Sequence, residues 1–111
     1  MSKIIPQRIG WPDSSSPDVE SYKIYYKIQD GTAGLTYEDA FVDVGMPSTI
    51  EHEGHTLRVV DLGETIPELE ETTYLFGVAA VDGRGNESTM TEIVVEVDVT
   101  APEPVPFVLE V

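Results

Sequence analysis

Apolar and polar positions alternate in short runs along most of this chain, and Gly, Pro, Asp and Ser punctuate the runs. A period of two marks strands, and no segment carries a sustained 3.6-residue apolar period with caps, so helices are not expected. Ile5, Ile9 and Trp11 share one parity in a first strand, and Pro12 to Pro17 form a turn cluster. Tyr22 to Ile28 alternate cleanly, with Tyr22, Ile24, Tyr26 and Ile28 predicted inward and Lys23 and Lys27 outward. Asp30-Gly31 opens a loop. Phe41 to Val44 is a short strand stopped by Gly45 and Pro47. His55 to Leu62 is another, with Leu57 and Val59 predicted inward, and Gly63 to Thr73 is an acidic connection. Tyr74 to Val81 is apolar at both parities, which predicts a central strand covered on both faces. Asp82 to Asn86 then turns the chain into a long alternating strand, Met90 to Val99, with Ile93, Val95 and Val97 on one face. Residues 100–106 are a stiff Pro-rich linker, and Phe107 to Val111 form a last apolar pentad.

Short strands at regular spacing predict an all-β, two-sheet antiparallel sandwich of immunoglobulin-like type. At 111 residues and 41% apolar content the chain suits one domain with one core. Its net charge of −15 lies far outside the magnitude of about 2–8 typical of well-behaved small domains. Such a field repels nucleic acid and anionic membrane and attracts cations or basic partners. There is no cysteine, hence no disulfide or thiolate metal site. No segment approaches the roughly 18 apolar residues of a membrane span. The start, MSKIIPQRIGW, lacks the apolar region of a signal peptide.

The stretch TYLFGVAAVDGRGNES resembles the penultimate strand and following hairpin of a fibronectin type III module, in the form common to bacterial and viral surface proteins. Trp11 before a Ser/Pro turn resembles the core tryptophan of that family, and SYKIYYK resembles the strand that follows it. Leu69 followed by Tyr74 resembles the tyrosine corner, at a spacing of five, one shorter than the usual pattern. The segment from Asp30 to Glu71 is longer than the family pattern. The resemblance implies a module that spaces, binds or assembles rather than one that catalyses, on a cell surface, outside the cell or in a virion. It also implies that residues 1–99 form a sandwich without its first strand, and that residues 107–111, at the other end, resemble that strand. The edge carrying Ile5, Ile9 and Trp11 is then an acceptor, and Phe107, Val108, Leu109 and Val111 are a donor strand. Each Phe or Leu pocket so filled contributes about 1.5–3 kcal/mol.

Three routes stay open for the tail. It folds back on its own domain, it enters a neighbouring copy, or the boundaries reflect a cut through a tandem array. Between Val97 and Pro106 the chain reaches at most about 30 Å, marginal for crossing one module. Self-association or neighbouring modules are therefore the expected partners.

Other candidates carry less. Asp82, Arg84 and Asn86 occupy a loop used for recognition in many family members, but Asp82 and Asn86 are equally suited to bonding turn backbone. His52 and His55 are predicted to point to opposite sides of a strand unless a tight turn at Gly54 brings them together. Glu51, Glu53, Asp61, Glu64, Glu68, Glu70 and Glu71 form a diffuse acidic region without a calcium-loop pattern, so no cofactor is expected and Ca2+ is the only candidate ion. No phosphate loop, nucleophile elbow or zinc-hydrolase motif is present, so no enzyme is expected.

Overall fold

Alternating segments become seven strands in the computed structural model, which describes residues 3–111, so the first two positions of the 1–99 span lie outside the described residues. The strands are β1 (Arg8–Trp11), β2 (Val19–Ile28), β3 (Ala40–Gly45), β4 (Thr49–His52), β5 (His55–Asp61), β6 (Thr73–Asp82) and β7 (Thr91–Glu96). One helical turn, α1 (Leu62–Thr65), follows β5. All pairings are antiparallel, in two sheets ordered β1-β5-β4 and β3-β2-β6-β7. The fold is thus an all-β immunoglobulin-like sandwich. Ile9, Trp11, Tyr22, Ile24, Val60, Tyr74, Phe76 and Val97 meet between the sheets.

Several expectations need correction. The first strand begins at Arg8, and Ile5 lies outside it, exposed. In β5 the inward parity is the reverse of that expected. Ile9 pairs with Val60 and Trp11 with Arg58, so Val60 enters the core while Leu57 and Val59 face outward with Gly10 and Ile50. Directly opposed residues share a face, which fixes this assignment. Arg58 tolerates its inward parity because its guanidinium leaves the sandwich end, donating to Asp13 at 2.8 Å and to the Pro47 carbonyl at 2.8 Å. Ile28, at the far end of β2, is exposed rather than inward. β7 ends at Glu96, short of Val99, and β4 is a strand the alternation did not mark.

The acidic connection after β5 holds apolar anchors. Asp61 caps α1 by accepting from the Glu64 amide at 3.1 Å, and Leu62, Ile66 and Leu69 plug the end of the core. The Glu70 amide donates to the Tyr74 hydroxyl at 3.1 Å. That is the bond of a tyrosine corner, formed despite the short spacing.

The both-sided coverage expected of β6 is present. Its outer face carries Leu75 and Ala79, which are buried, and Gly77 between them. Gly34, Leu35 and Tyr37, in the long segment, lie over this face. A Cβ on Gly77 would sit 2.7 Å from Leu35 Cδ1, so glycine admits the loop. Tyr25, 1% exposed, packs here under Tyr37 and Phe41, with ring centroids at 5.9 and 5.3 Å. Its hydroxyl donates to Glu87 Oε1, whose other oxygen accepts from Lys23 at 3.0 Å.

Candidate assembly site

β1 pairs with β5 alone, so among the described residues its other edge has no partner strand. Beside that edge the two sheets do not close. A cleft of about 400 Å³ runs between the end of β1 and the start of β7, lined by Trp11, Pro12, Tyr22, Val78, Ala80 and Thr91 among others. Val78 and Ala80 share the inward parity of Tyr74 and Phe76 but are only partly buried. Ile93, paired with Phe76 and thus facing the other sheet, remains 49% exposed. Trp11 itself is buried, and among the described residues its indole Nε1 has no hydrogen-bond acceptor. A buried donor without an acceptor is unusual, and it lies beneath the cleft rather than open to it.

A polar network fixes the mouth of the cleft. Tyr22 stacks edge-on to Trp11 at 5.5 Å, its hydroxyl donates to Asp13 at 3.0 Å, and it accepts from the Ser14 amide at 2.9 Å. Arg58 grips Asp13 with two nitrogens, at 2.8 and 3.1 Å. The Arg58 guanidinium, helped by the Tyr22 hydroxyl, holds the Asp13 carboxyl below its ordinary pKa. The turn after β1 is thereby tied to β5, and Trp11 is held in place.

The predicted donor residues are in the open. The tail after β7 forms no strand, and Phe107, Val108, Leu109 and Val111 are all exposed, Phe107 by 71%. The molecule measures 65 Å along its longest axis against 33 and 21 Å across. The fold-back route is not the arrangement seen, since the tail adds no strand to either sheet. Of the predicted acceptor residues, Ile9 and Trp11 lie on the open-edged strand and Ile5 precedes it.

At the opposite pole, where the tail leaves, Gln7 closes the gap between the sheets. Its side chain donates to the Glu96 carbonyl at 2.8 Å and accepts from the Asp98 amide at 3.0 Å. A hydrogen bond between the Glu71 and Asp98 carboxyls raises the Glu71 pKa there. Sequence reasoning passed over Gln7, Val78 and Ala80. The available signal was parity, because Val78 and Ala80 are the small inward residues at the end of β6 that leave room beside Trp11.

The remaining candidates resolve locally. Asp82 accepts from the amides of Arg84 and Asn86, each at 2.9 Å, and from the Asn86 side chain at 3.0 Å. Gly85 takes φ 88° in the same turn. Asp82 and Asn86 are thus engaged in holding the hairpin, and the Asn86 bonds lower the Asp82 pKa. In the acidic region Asp61 caps α1, Glu68 accepts from Tyr26 and Glu51 accepts from Thr56. Among the described residues no three His, Asp or Glu side chains converge on a point that would hold a metal ion. For His52 and His55 the tight turn at Gly54 is present, and they stand directly opposite each other across the β4–β5 turn. No helix among the described residues is long and apolar enough to cross a membrane.

No protein-family profile, curated protein or solved structure matches the chain.

Proposed function

We propose that this protein is a non-enzymatic structural subunit with fibronectin type III-like strand order, which assembles head to tail by donating residues 107–111 to the cleft beside β1 of a neighbouring copy. The cleft carries the argument, with its unpaired β1 edge and its partly buried apolar lining of Val78 and Ala80. A donated strand offers backbone groups to the edge and apolar side chains to the cleft. Phe107, Leu109 and Val111 share one parity and would enter between the sheets, while Val108 and Glu110 face outward.

Burying three such side chains contributes about 5–9 kcal/mol gross. Association itself costs at least about 4 kcal/mol. The side chains thus leave at most about 5 kcal/mol, a contact near the submillimolar range before backbone bonds are added. It is heterologous, so repetition gives a ring or an open filament. A surface filament or virion assembly is the setting in which high local concentration makes such a contact effective.

The extended 100–106 linker favours a second reading, an accessory binding or spacer module of a larger secreted bacterial enzyme or adhesin. Sedimentation of the full chain, a chain ending at Pro106, and Leu109→Glu, each up to millimolar concentration, separates the two. Strand donation requires concentration-dependent mass growth in the full chain alone. It also requires stronger association at high salt, because screening relieves repulsion between chains of −15 charge. A full chain that stays monomeric, or a truncated chain that associates equally well, overturns the proposal and leaves the spacer reading.

A further inference from the structure

The β4–β5 hairpin brings together two imidazoles that the chain's alternation would have separated. Its loop is two residues long, Glu53-Gly54, with φ 51° and 82°. Positive φ at both central positions is the signature of a type I′ turn, whose twist matches paired strands. The residues flanking such a turn oppose each other, and His52 is the register partner of His55. Opposed residues share a face and hold their Cβ atoms about 5 Å apart. The next pair on that face is Ile50 with Leu57, so the imidazoles sit at the end of an apolar strip rather than among competing carboxylates. Glu51 has the other parity and accepts from Thr56 Oγ1 across the opposite face. Both rings are exposed, and neither takes part in an ion pair among the described residues.

We propose that His52 and His55 form a two-imidazole clip that binds a late first-row transition-metal ion, copper(II) most tightly, on the outer face of the β4–β5 hairpin. Metal–nitrogen bonds of about 2 Å require the two ring nitrogens to approach to about 3 Å, which rotation of two exposed side chains at this Cβ spacing allows. Imidazole selects copper, nickel and zinc over calcium and magnesium, which take oxygen ligands. Among divalent ions of the first row copper(II) binds such a site most strongly. The remaining positions on the ion go to water, and the chain's negative field raises the local cation concentration. Gly54 is the positioning residue, because a side chain at φ 82° strains the turn that sets the two histidines opposite each other. This inference does not depend on strand donation.

The test is copper(II) titration of the full chain in a weakly competing buffer, read by calorimetry and by electron paramagnetic resonance. The expected result is one copper per chain with hyperfine coupling to two imidazole nitrogens. His52→Asn and His55→Asn should each lower affinity at least about tenfold, by similar factors, while excess calcium does not compete. Both positions are exposed, so the variants keep the fold, which circular dichroism checks. Coupling to one nitrogen only, or an affinity that either single variant leaves intact, overturns the clip and assigns the copper elsewhere.

Discussion

Replacing Tyr25 with Phe isolates one hydrogen bond and leaves the packing around it in place. The ring keeps its contacts with Tyr37 and Phe41, while Glu87 loses the hydroxyl that donates to Oε1 and keeps only Lys23. A hydrogen bond to a charged acceptor contributes about 1.5–3 kcal/mol. The Glu87 side chain is 18% exposed, so water partly replaces the lost donor and the lower end applies, about 1.5 kcal/mol. For a domain of this size that lowers Tm by about 6–12 °C.

The pH dependence of the difference is more diagnostic than its size. Burial first, then the bond to Glu87, pushes the Tyr25 pKa up from 10 to about 12. The folded state therefore holds a proton that the unfolded chain releases between those values. This contribution is complete below pH 10 and disappears as pH rises through about 12. Glu87 is shifted the other way. Burial opposes ionisation, but the Tyr25 hydroxyl and then Lys23 outweigh it and depress the pKa below 4.5. Its contribution is present above that value and lost as pH falls through the depressed one. The stability gap between wild type and Tyr25→Phe should be flat across neutral pH and narrow at both ends. Urea unfolding at a series of pH values measures it. A gap below about 0.5 kcal/mol at neutral pH, or one that persists undiminished at pH 12, refutes the reasoning.

Two further changes test the ends of the sandwich. Tyr74→Phe leaves the Glu70 amide without its hydroxyl acceptor and should cost about 1 kcal/mol in urea unfolding, with no effect on the mouth of the cleft. Asp13→Asn should cost less than about 1 kcal/mol at neutral pH, because the Asp13 side chain is half exposed and its pair with Arg58 is screened. Its depressed pKa makes that loss shrink as pH falls below 3.8, and chemical denaturation at acid pH would show it.

Much of the sandwich was legible because alternation is a direct record of which face a residue occupies. β2, β6 and the turn at Asp82 to Asn86 follow from it, and both-sided apolarity in β6 correctly implied a cover on its outer face. β5 failed for a physical reason. Leu57 and Val59 compete with Val60 and Leu62 for the inward parity, and Arg58 argues for the wrong one. Only the register with β1, together with the Asp13 and Pro47 partners that receive the guanidinium, decides it. The His52–His55 pair was legible only as an alternative, because whether a turn of two residues cancels the alternation between positions three apart is decided by the hairpin register. The cleft itself was only half legible. Trp11 and the tail could be named, but Val78 and Ala80 as its second wall depend on how the two sheets are offset, which no periodicity records.

An open strand edge invites any extended peptide, so a subunit that uses one for assembly must limit what binds. β1 has the features that do so. It is four residues long, Arg8 opens it, and Pro6 and Pro12 flank it. Neither proline has an N–H to offer a ladder, so pairing is confined to a short register. Gly10, at the centre, gives little side-chain surface on the outer face, and the apolar reward lies inward, in the cleft beside Trp11. A partner strand must therefore be short, apolar on one face and presented at the Trp11 pole. The pentad from Phe107 to Val111 meets the first two conditions by its own alternation, and the stiff 100–106 segment projects it from the opposite pole. The net charge of −15 penalises every approach between copies, so only a contact with enough fit to offset the repulsion persists. Short edge, flanking prolines and high charge thus act together to disfavour aggregation, and on the proposed strand donation they would leave one pairing accessible.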